Sequence, residues 1–354
     1  MQYSSFPLHL AVNMDSRFRG NDDANAVSTH QPRTGGSRIT ETPVTPEHHE
    51  SEEARAPRRI TPLSVPAIGN VGLLRFPYSQ GELHALVKSA LDEDGAFNDL
   101  TTIATVVSDR HARGRLVARA PGVICGIPLA VEAFCTLDSK VTLRVDCEDG
   151  TRVQPGDGVL YLSGHARALL AAERVALNFM QRLSGVASMT ARYVDAVRGT
   201  HAKILDTRKT TPGWRLLEKY AVRAGGGTNH RLNLSTAVLI KDNHLASVDG
   251  DVALAVRRAR DLAPAGTKVE VECDRIEQVQ AALDAEADIV MLDNMSTAQM
   301  RECVALVNGR AIVEASGGVT LDTVRAIAET GVDWISVGAL THSSPALDLA
   351  LDFE

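Results

Sequence analysis

The chain has 354 residues and a formal net charge of −7, with 44% hydrophobic and 23% charged residues. That length suits two domains, or one barrel with an appendage, and the composition is that of an ordinary globular protein. An isoelectric point near 5.9 argues against a nucleic-acid binder, which shows a broad basic surface.

The five cysteines, Cys125, Cys135, Cys147, Cys273 and Cys303, form no CxxC pair and no metal-ligand spacing. They read as reduced thiols of a cytosolic compartment. No apolar run approaches the ~20 residues that span a bilayer, and 6–12 is too short and too polar for a signal-peptide core. A cytoplasmic protein with no membrane and no nucleic-acid partner is expected.

Residues 1–66 mix Ser, Thr, Pro, Gly, Asn, Asp and His with few aliphatics, and 47–53 is acidic and histidine-rich. Such a segment buries too little apolar surface to offset its ordering entropy. A disordered extension is expected, much of it upstream sequence from a misplaced start codon. His48 and His49, adjacent and without partners, read as solvated rather than as metal ligands.

Order is expected from Pro77. Ser79 caps a helix with Leu83, Leu86, Val87, Ala90 and Leu91 at helical spacing, and Asp99-Leu100-Thr101-Thr102 reads as a loop. β-like runs at 114–120, 141–146 and 159–163 are separated by the turn signals Pro121-Gly122 and Pro155-Gly156-Asp157-Gly158. With an apolar helix at 128–135 they make a small α+β domain that holds no complete active site. A long helix follows over 165–198. Val175, Phe179, Leu183 and Val186 lie on one side of it, and Arg174, Asn178, Gln181 and Gly185 form a stripe on the other. That stripe reads either as a solvated face or as a contact surface, since it lacks the Lys and Glu typical of exposed helix.

From residue 202 apolar β runs alternate with helices, the pattern of a parallel α/β domain. The candidate strands are 203–207, 237–242, 268–273, 288–292, 311–315 and 333–337; helices fit at 251–262, 276–285, 297–307 and 321–330. About six strands fall short of the eight of a complete barrel, so an incomplete α/β barrel is expected, with an open doubly wound sheet as the alternative.

In such folds reactive residues follow the carboxyl ends of the strands. Those ends read Thr207-Arg208-Lys209, Lys241-Asp242-Asn243, Glu272-Cys273-Asp274, Asp293-Asn294, Ser316-Gly317-Gly318 and Val337-Gly338-Ala339. The last two read as phosphate cradles, in which glycine lets backbone N–H groups and a following helix N-terminus approach an anion; a simple turn is the alternative for each. Lys268, Glu270, Glu272 and Asp274 share one strand face, where inward charge is costly unless paired or used. Asp293 reads equally as a helix cap, and Glu272 with Asp293 suits sugar hydroxyls or a largely hydrated Mg²⁺. Between 208 and 241 stand seven Lys or Arg against one acid, Glu218. Arg208, Lys209, His230, Arg231 and Lys241 form a cationic group; each alone reads as a surface ion-pair partner, but together they suit a small polyanion bearing carboxylates.

At these motifs the chain resembles the nicotinate-nucleotide pyrophosphorylases (carboxylating), or quinolinate phosphoribosyltransferases. The matching text is ERVALN at 173–178, DTRKTTPG at 206–213, AVRAGGGTNHR at 221–231, LIKDNH at 239–244, VEVECD at 269–274, DIVMLDN at 288–294, EASGG at 314–318 and ISVGALTHS at 335–343. The likeness runs from about residue 77 to the C-terminus. It implies a sandwich-like α+β domain at 67–175, to which 343–354 returns, and a barrel at 176–342. It also implies a homodimer in which Arg174 reaches the neighbour's site. The reaction implied joins quinolinate to 5-phosphoribosyl 1-pyrophosphate, giving nicotinate mononucleotide, pyrophosphate and CO₂ with Mg²⁺ as cofactor, held mainly through the substrate. In that scheme Arg174, Arg208, His230, Arg231 and Lys241 neutralise the ring carboxylates. Lys209 lies by the pyrophosphate, Glu272 and Asp293 hold the ribose, and Thr207 joins Ser316, Gly317, Gly318, Val337, Gly338 and Ala339 in binding. Lys209, Lys241, Glu272 and Asp293 are the implied catalytic set. The rivals are a phosphoribosyltransferase of the same fold with another acceptor, such as the members associated with molybdenum transport, a Schiff-base lyase using Lys241 or Lys209, and a non-catalytic small-molecule sensor.

Overall fold

In the computed structural model, residues 74–354 are described; the extension expected at 1–66 lies outside them. Order starts where the sequence supplies a cap. The Ser79 hydroxyl accepts the Glu82 N–H while the Glu82 carboxylate accepts the Ser79 N–H, a capping box that opens α1 (Gln80–Glu93). Leu83, Val87 and Leu91 then fall on its buried face. The stretch expected as a loop at 99–102 is instead the start of α2 (Leu100–Thr105). Asp99 caps it by accepting the Thr102 N–H at 3.1 Å, a role that Asp before a short helical run fills as readily as a turn.

Next come β1 (His111–Ala118), β2 (Gly122–Val123), α3 (Ile127–Leu137), β3 (Thr142–Val145), β4 (Arg152–Val153) and β5 (Gly158–His165). The long helix α4 (Ala166–Ala196) leads to β6 (Lys203–Leu205), α5 (Arg215–Ala224), β7 (Val238–Ile240), α6 (Asp242–Ala246) and α7 (Val252–Leu262). The remainder is β8 (Val269–Cys273), α8 (Ile276–Asp284), β9 (Ile289–Asp293), α9 (Thr297–Val307), β10 (Ile312–Ser316), α10 (Val324–Ala328), β11 (Trp334–Ser336), α11 (Ala339–His342) and β12 (Leu349–Phe353).

The N-terminal sheet has the order β12-β1-β5-β3 and is antiparallel throughout, so the C-terminal strand closes onto the first. Residue 175, where a domain division was expected, falls inside α4, one unbroken helix packed against α3 on one side and α5 on the other. Val175, Phe179, Leu183 and Val186 are buried, as their spacing predicts. The opposite stripe divides in two. Arg174 and Asn178 are exposed, whereas Gln181 and Gly185 are covered by the chain's own C-terminal segment. Gln181 O accepts the Leu347 N–H at 2.9 Å, and Gln181 Nε2 donates to Leu349 O at 2.8 Å. A Cβ on Gly185 would stand 2.1 Å from Pro345 O, so only glycine admits that backbone. No helix among the described residues is long and apolar enough to cross a membrane.

All six expected barrel strands form, within about two residues of their expected ends, in one parallel sheet of order β6-β11-β10-β9-β8-β7. The first two strands of the barrel, β6 and β7, do not pair. The open side of β6 is instead met by Thr228, whose N–H donates to Ile204 O and whose carbonyl accepts the Asp206 N–H. The barrel is therefore incomplete. The registers Glu270↔Ile289, Glu272↔Met291, Met291↔Glu314 and Glu314↔Trp334 place Glu270, Glu272 and Glu314 on the same face of the sheet, since side chains alternate with period two.

Candidate active site

Six parallel strands present all their carboxyl ends on one side, so the residues that follow them meet at a single mouth. Thr207, Arg208 and Lys209 follow β6, Lys241 follows β7, and Glu272 and Asp293 stand at the ends of β8 and β9. Ser316, Gly317 and Gly318 end β10, and Val337, Gly338 and Ala339 end β11. Lys241 Nζ pairs with the Glu272 carboxylate. The Lys209 side chain passes over Gly338, where a Cβ would lie 3.1 Å from Lys209 Cδ, and Thr207 Oγ1 accepts the Lys209 N–H at 3.0 Å. The Asp293 carboxylate accepts the Asn294 side-chain N–H at 2.7 Å.

The two glycine turns work differently. At Val337-Gly338-Ala339 the helix α11 does begin at once, at Ala339, though it is only four residues long. At Ser316-Gly317-Gly318 the expected helix N-terminus is absent, because α10 begins at Val324. The turn is made by backbone alone: Gly317 has φ +91°, a Cβ there would strike Asn294 Oδ1 at 2.2 Å, and Gly318 at φ +59° faces open space. The open space beside Gly318 lets an anion approach the backbone there.

A buried network fixes the loop after β6. Asp206, fully buried, pairs with Lys219 Nζ and accepts the Asn229 side-chain N–H at 2.6 Å and the His230 N–H at 2.9 Å. Burial pushes the Asp206 carboxyl up and the Lys219 ammonium down, while their mutual attraction opposes both shifts. Lys219 Nζ also donates to His230 O at 3.0 Å. Glu218, fully buried, accepts Arg182 Nη2 at 2.6 Å, the Thr211 N–H at 3.0 Å and Thr211 Oγ1–H at 2.8 Å. Arg182 also donates to the carbonyls of Thr341 and Ser344, and Thr341 Oγ1 donates to Lys209 O at 2.7 Å. The loop carrying Arg208 and Lys209 is thus tied to the loop after β11 through α4 and α5.

His230 and Arg231 lie below the mouth, level with Glu270, one inward position before Glu272. His230 Nε2 stands 3.2 Å from Glu270 Oε2 and 3.4 Å from Glu314 Oε2, and Ser336 Oγ–H donates to the other Glu314 oxygen. Burial opposes a charged His230, but its hydrogen bonds and attraction to Glu270 and Glu314 outweigh that and raise it to about 10. Burial, with the charge of Glu314, pushes Glu270 up to about 7 against the pull of His230 and Arg231. The three groups form one coupled unit. The Arg231 N–H donates to His230 Nδ1 at 2.7 Å, which turns Nε2 toward the two glutamates.

The inward face of β8 is legible in the sequence, but no motif assigns a role to Glu270, Glu314, Glu218, Arg182, Asp206 or Lys219. Period-two spacing was a signal for Glu270 and Glu314; for Arg182 and Glu218 nothing local marked them, since their partners lie 36 and 159 residues apart in the chain. Arg174 is exposed on α4.

A parallel α/β barrel with cations, two carboxylates and two glycine turns at one mouth defines a barrel transferase for a phosphorylated, multiply anionic substrate. The comparisons with known proteins are more specific. Residues 186–352 match the family described as quinolinate phosphoribosyl transferase, C-terminal domain, and residues 99–184 match its N-terminal domain. The nicotinate-nucleotide pyrophosphorylase [carboxylating] of Mycobacterium leprae is 47% identical over 274 residues, 75% of this chain and 95% of that protein. A probable enzyme of the same name from Bacillus subtilis is 41% identical over 271 residues, 77% of this chain and 93% of its own. The structure of the nicotinate-nucleotide pyrophosphorylase from Francisella tularensis superposes with a TM-score of 0.74 at 38% identity, covering 79% of this chain and 99% of that one. The chain belongs to the quinolinate phosphoribosyltransferase family.

Proposed function

We propose that this protein transfers the phosphoribosyl group of 5-phosphoribosyl 1-pyrophosphate to quinolinate with decarboxylation, giving nicotinate mononucleotide, pyrophosphate and CO₂, a step of de novo NAD biosynthesis. The observation that carries this reading is the Lys241–Glu272 pair beside Asp293, at the one mouth where Arg208 and Lys209 also stand. Cations there neutralise the two ring carboxylates and bring the ring nitrogen to the anomeric carbon. Glu272 and Asp293 hold ribose hydroxyls and offset the positive charge that develops on the sugar as pyrophosphate leaves. The 5-phosphate rests on the turns at 316–318 and 337–339, with Lys209 above Gly338. Loss of CO₂ needs no protein nucleophile, because the N-ribosylated pyridinium takes the electron pair. Catalysis is then positioning and electrostatic preorganisation. The pairing of Lys241 with Glu272 engages the amine that a Schiff base would need and argues against that role.

Glu272 and Asp293 suit Mg²⁺ that arrives with the pyrophosphate and keeps several waters. When bound, it neutralises charge on the leaving group. A second copy of the chain supplies Arg174 from the exposed stripe of α4.

The test is formation of nicotinate mononucleotide and CO₂ from quinolinate, phosphoribosyl pyrophosphate and Mg²⁺, with nicotinate as the negative control. Product from nicotinate but not from quinolinate would overturn the reading. Lys241→Ala and Glu272→Ala should fold and lose activity by about 10²–10³-fold or more, the scale of one preorganised charged contact; an active Lys241→Ala enzyme removes Lys241 from the machinery.

A further inference from the structure

We propose that Thr341 is a positioning residue of this reaction: its hydroxyl fixes the main chain at Lys209, so that the Lys209 side chain lies over the turn at 337–339 and meets the phosphates of phosphoribosyl pyrophosphate. This rests on the phosphoribosyl-transfer reading and deepens it by naming what joins the loop after β6 to the turn after β11.

The sheet puts the two segments side by side. β6 and β11 are neighbours, with Ile204↔Ile335 and Leu205↔Ser336 in register and the Val337 N–H donating to Leu205 O at 2.9 Å. Past the ends of the strands, side chains take over. Lys209 is exposed, yet threonines hold both its N–H and its carbonyl. Thr207 Oγ1 accepts the N–H at 3.0 Å, and Thr341 Oγ1–H donates to the carbonyl at 2.7 Å. Thr207 belongs to the same loop and moves with it, so Thr341 is the contact that ties Lys209 to the phosphate turn. The side chain carried by that backbone passes over Gly338, with Lys209 Cδ 3.1 Å from where a Cβ would lie. The ordinary use of a helical threonine is the alternative, a hydroxyl bonded back to a carbonyl of its own turn. Here that carbonyl is Gly338 O, at 3.3 Å, and the Thr341 N–H already donates to it at 3.2 Å. The single hydroxyl proton serves the nearer acceptor, Lys209 O.

Thr341 is itself immobilised. It is wholly buried, so water does not compete for its hydroxyl. Arg182 donates to its carbonyl and, at 3.2 Å, to that of Ser344, and Glu218 holds Arg182 at 2.6 Å. Glu218 also accepts the Thr211 N–H at 3.0 Å. Lys209 therefore stands between two anchored points, Thr341 after β11 and Thr211 in its own loop. Holding the backbone in advance aims the cation before substrate arrives, so less of the binding energy goes into ordering the loop.

The experiment titrates phosphoribosyl pyrophosphate with Mg²⁺ into the protein by calorimetry, without quinolinate, and compares wild type with Thr341→Val, Thr341→Ser and Lys209→Ala. Valine keeps the shape and removes the donor; serine keeps the donor. Thr341→Val should raise the Kd tenfold or more, and Thr341→Ser should stay within threefold of wild type. Added to Lys209→Ala, the valine change should raise the Kd less than twofold, because the side chain it positions is gone. A merely structural threonine would weaken binding equally in both backgrounds; that result, or a Kd unchanged in Thr341→Val, overturns the inference. Thr341→Ala, which removes the donor without adding bulk, is held to the same two criteria if thermal unfolding shows that the valine variant does not fold. Wild type active on quinolinate with Thr341→Val unchanged sinks this inference alone; wild type inactive on quinolinate sinks the functional reading first.

Discussion

Glu218 is the side chain whose removal should do most damage for the least change in shape. Glu218→Gln keeps the volume but replaces an acceptor-only carboxylate with a group that turns a donor toward other donors. The carboxylate receives three hydrogen bonds, from Arg182 Nη2 at 2.6 Å and from the Thr211 N–H and hydroxyl at 3.0 and 2.8 Å. One of these comes from a charged group, for which loss costs about 1.5–3 kcal/mol. Breaking a wholly buried pair costs about 3–5 kcal/mol, but the Arg182 side chain remains 28% exposed and regains some hydration. A destabilisation of ~2–3 kcal/mol follows. Because Thr211 lies in the loop that carries Arg208 and Lys209, kcat/KM should also fall about 10–100-fold, equivalent to ~1.4–2.8 kcal/mol of lost alignment. Urea unfolding at fixed protomer concentration measures the first quantity and steady-state kinetics the second. A double-mutant cycle with Arg182→Gln isolates the pair and should give a coupling of about 1–2 kcal/mol. Additivity within ~0.5 kcal/mol, together with unchanged kcat/KM, would refute the claim that this pair anchors the loop.

Gly185→Ala should destabilise by about 1–3 kcal/mol in the same unfolding assay, since its Cβ would stand 2.1 Å from Pro345 O and drive the C-terminal segment off α4; unchanged stability would mean that segment packs elsewhere. Gly317→Ala combines φ +91° with a 2.2 Å approach to Asn294 Oδ1, so the KM for phosphoribosyl pyrophosphate should rise about tenfold, roughly 1.4 kcal/mol of lost binding, with the KM for quinolinate little changed. Asp288 gives a pH test. Burial tends to raise its carboxyl, but Lys268, the Val269 N–H and Arg260 outweigh that and hold it below its ordinary 3.8. A depressed folded pKa stabilises above the unfolded value and is lost as pH falls through the folded one. Wild type should therefore exceed Asp288→Asn by about 1–2 kcal/mol at neutral pH, with the gap closing below pH ~4; a gap independent of pH would assign the effect to shape.

The strands, their order along the chain and the residues that follow each were legible locally. Runs such as 288–292 and 311–315 are apolar enough to be buried on both faces, and glycine or charge marks where each stops. The capped helices were legible for the same reason: Ser79 with Glu82 and Ser296 with Gln299 are three-residue signals whose partners lie within one turn. The mouth followed at once, because parallel strands place all their carboxyl ends together whatever the register. What lies beneath it did not. Glu270, Glu314 and His230 come from β8, β10 and the loop after α5, and only the tertiary fold brings His230 within 3.4 Å of both glutamates. Arg182 meets Glu218, Thr341 and Ser344 only because α4 spans both halves of the molecule. The absence of a helix N-terminus behind Gly317 depends on where the chain after β10 regains helical packing. Local pattern decides whether a segment is a strand or a helix, since period and caps act within a few residues. Tertiary packing alone decides which buried charge faces which, since that choice belongs to residues tens to hundreds of positions apart.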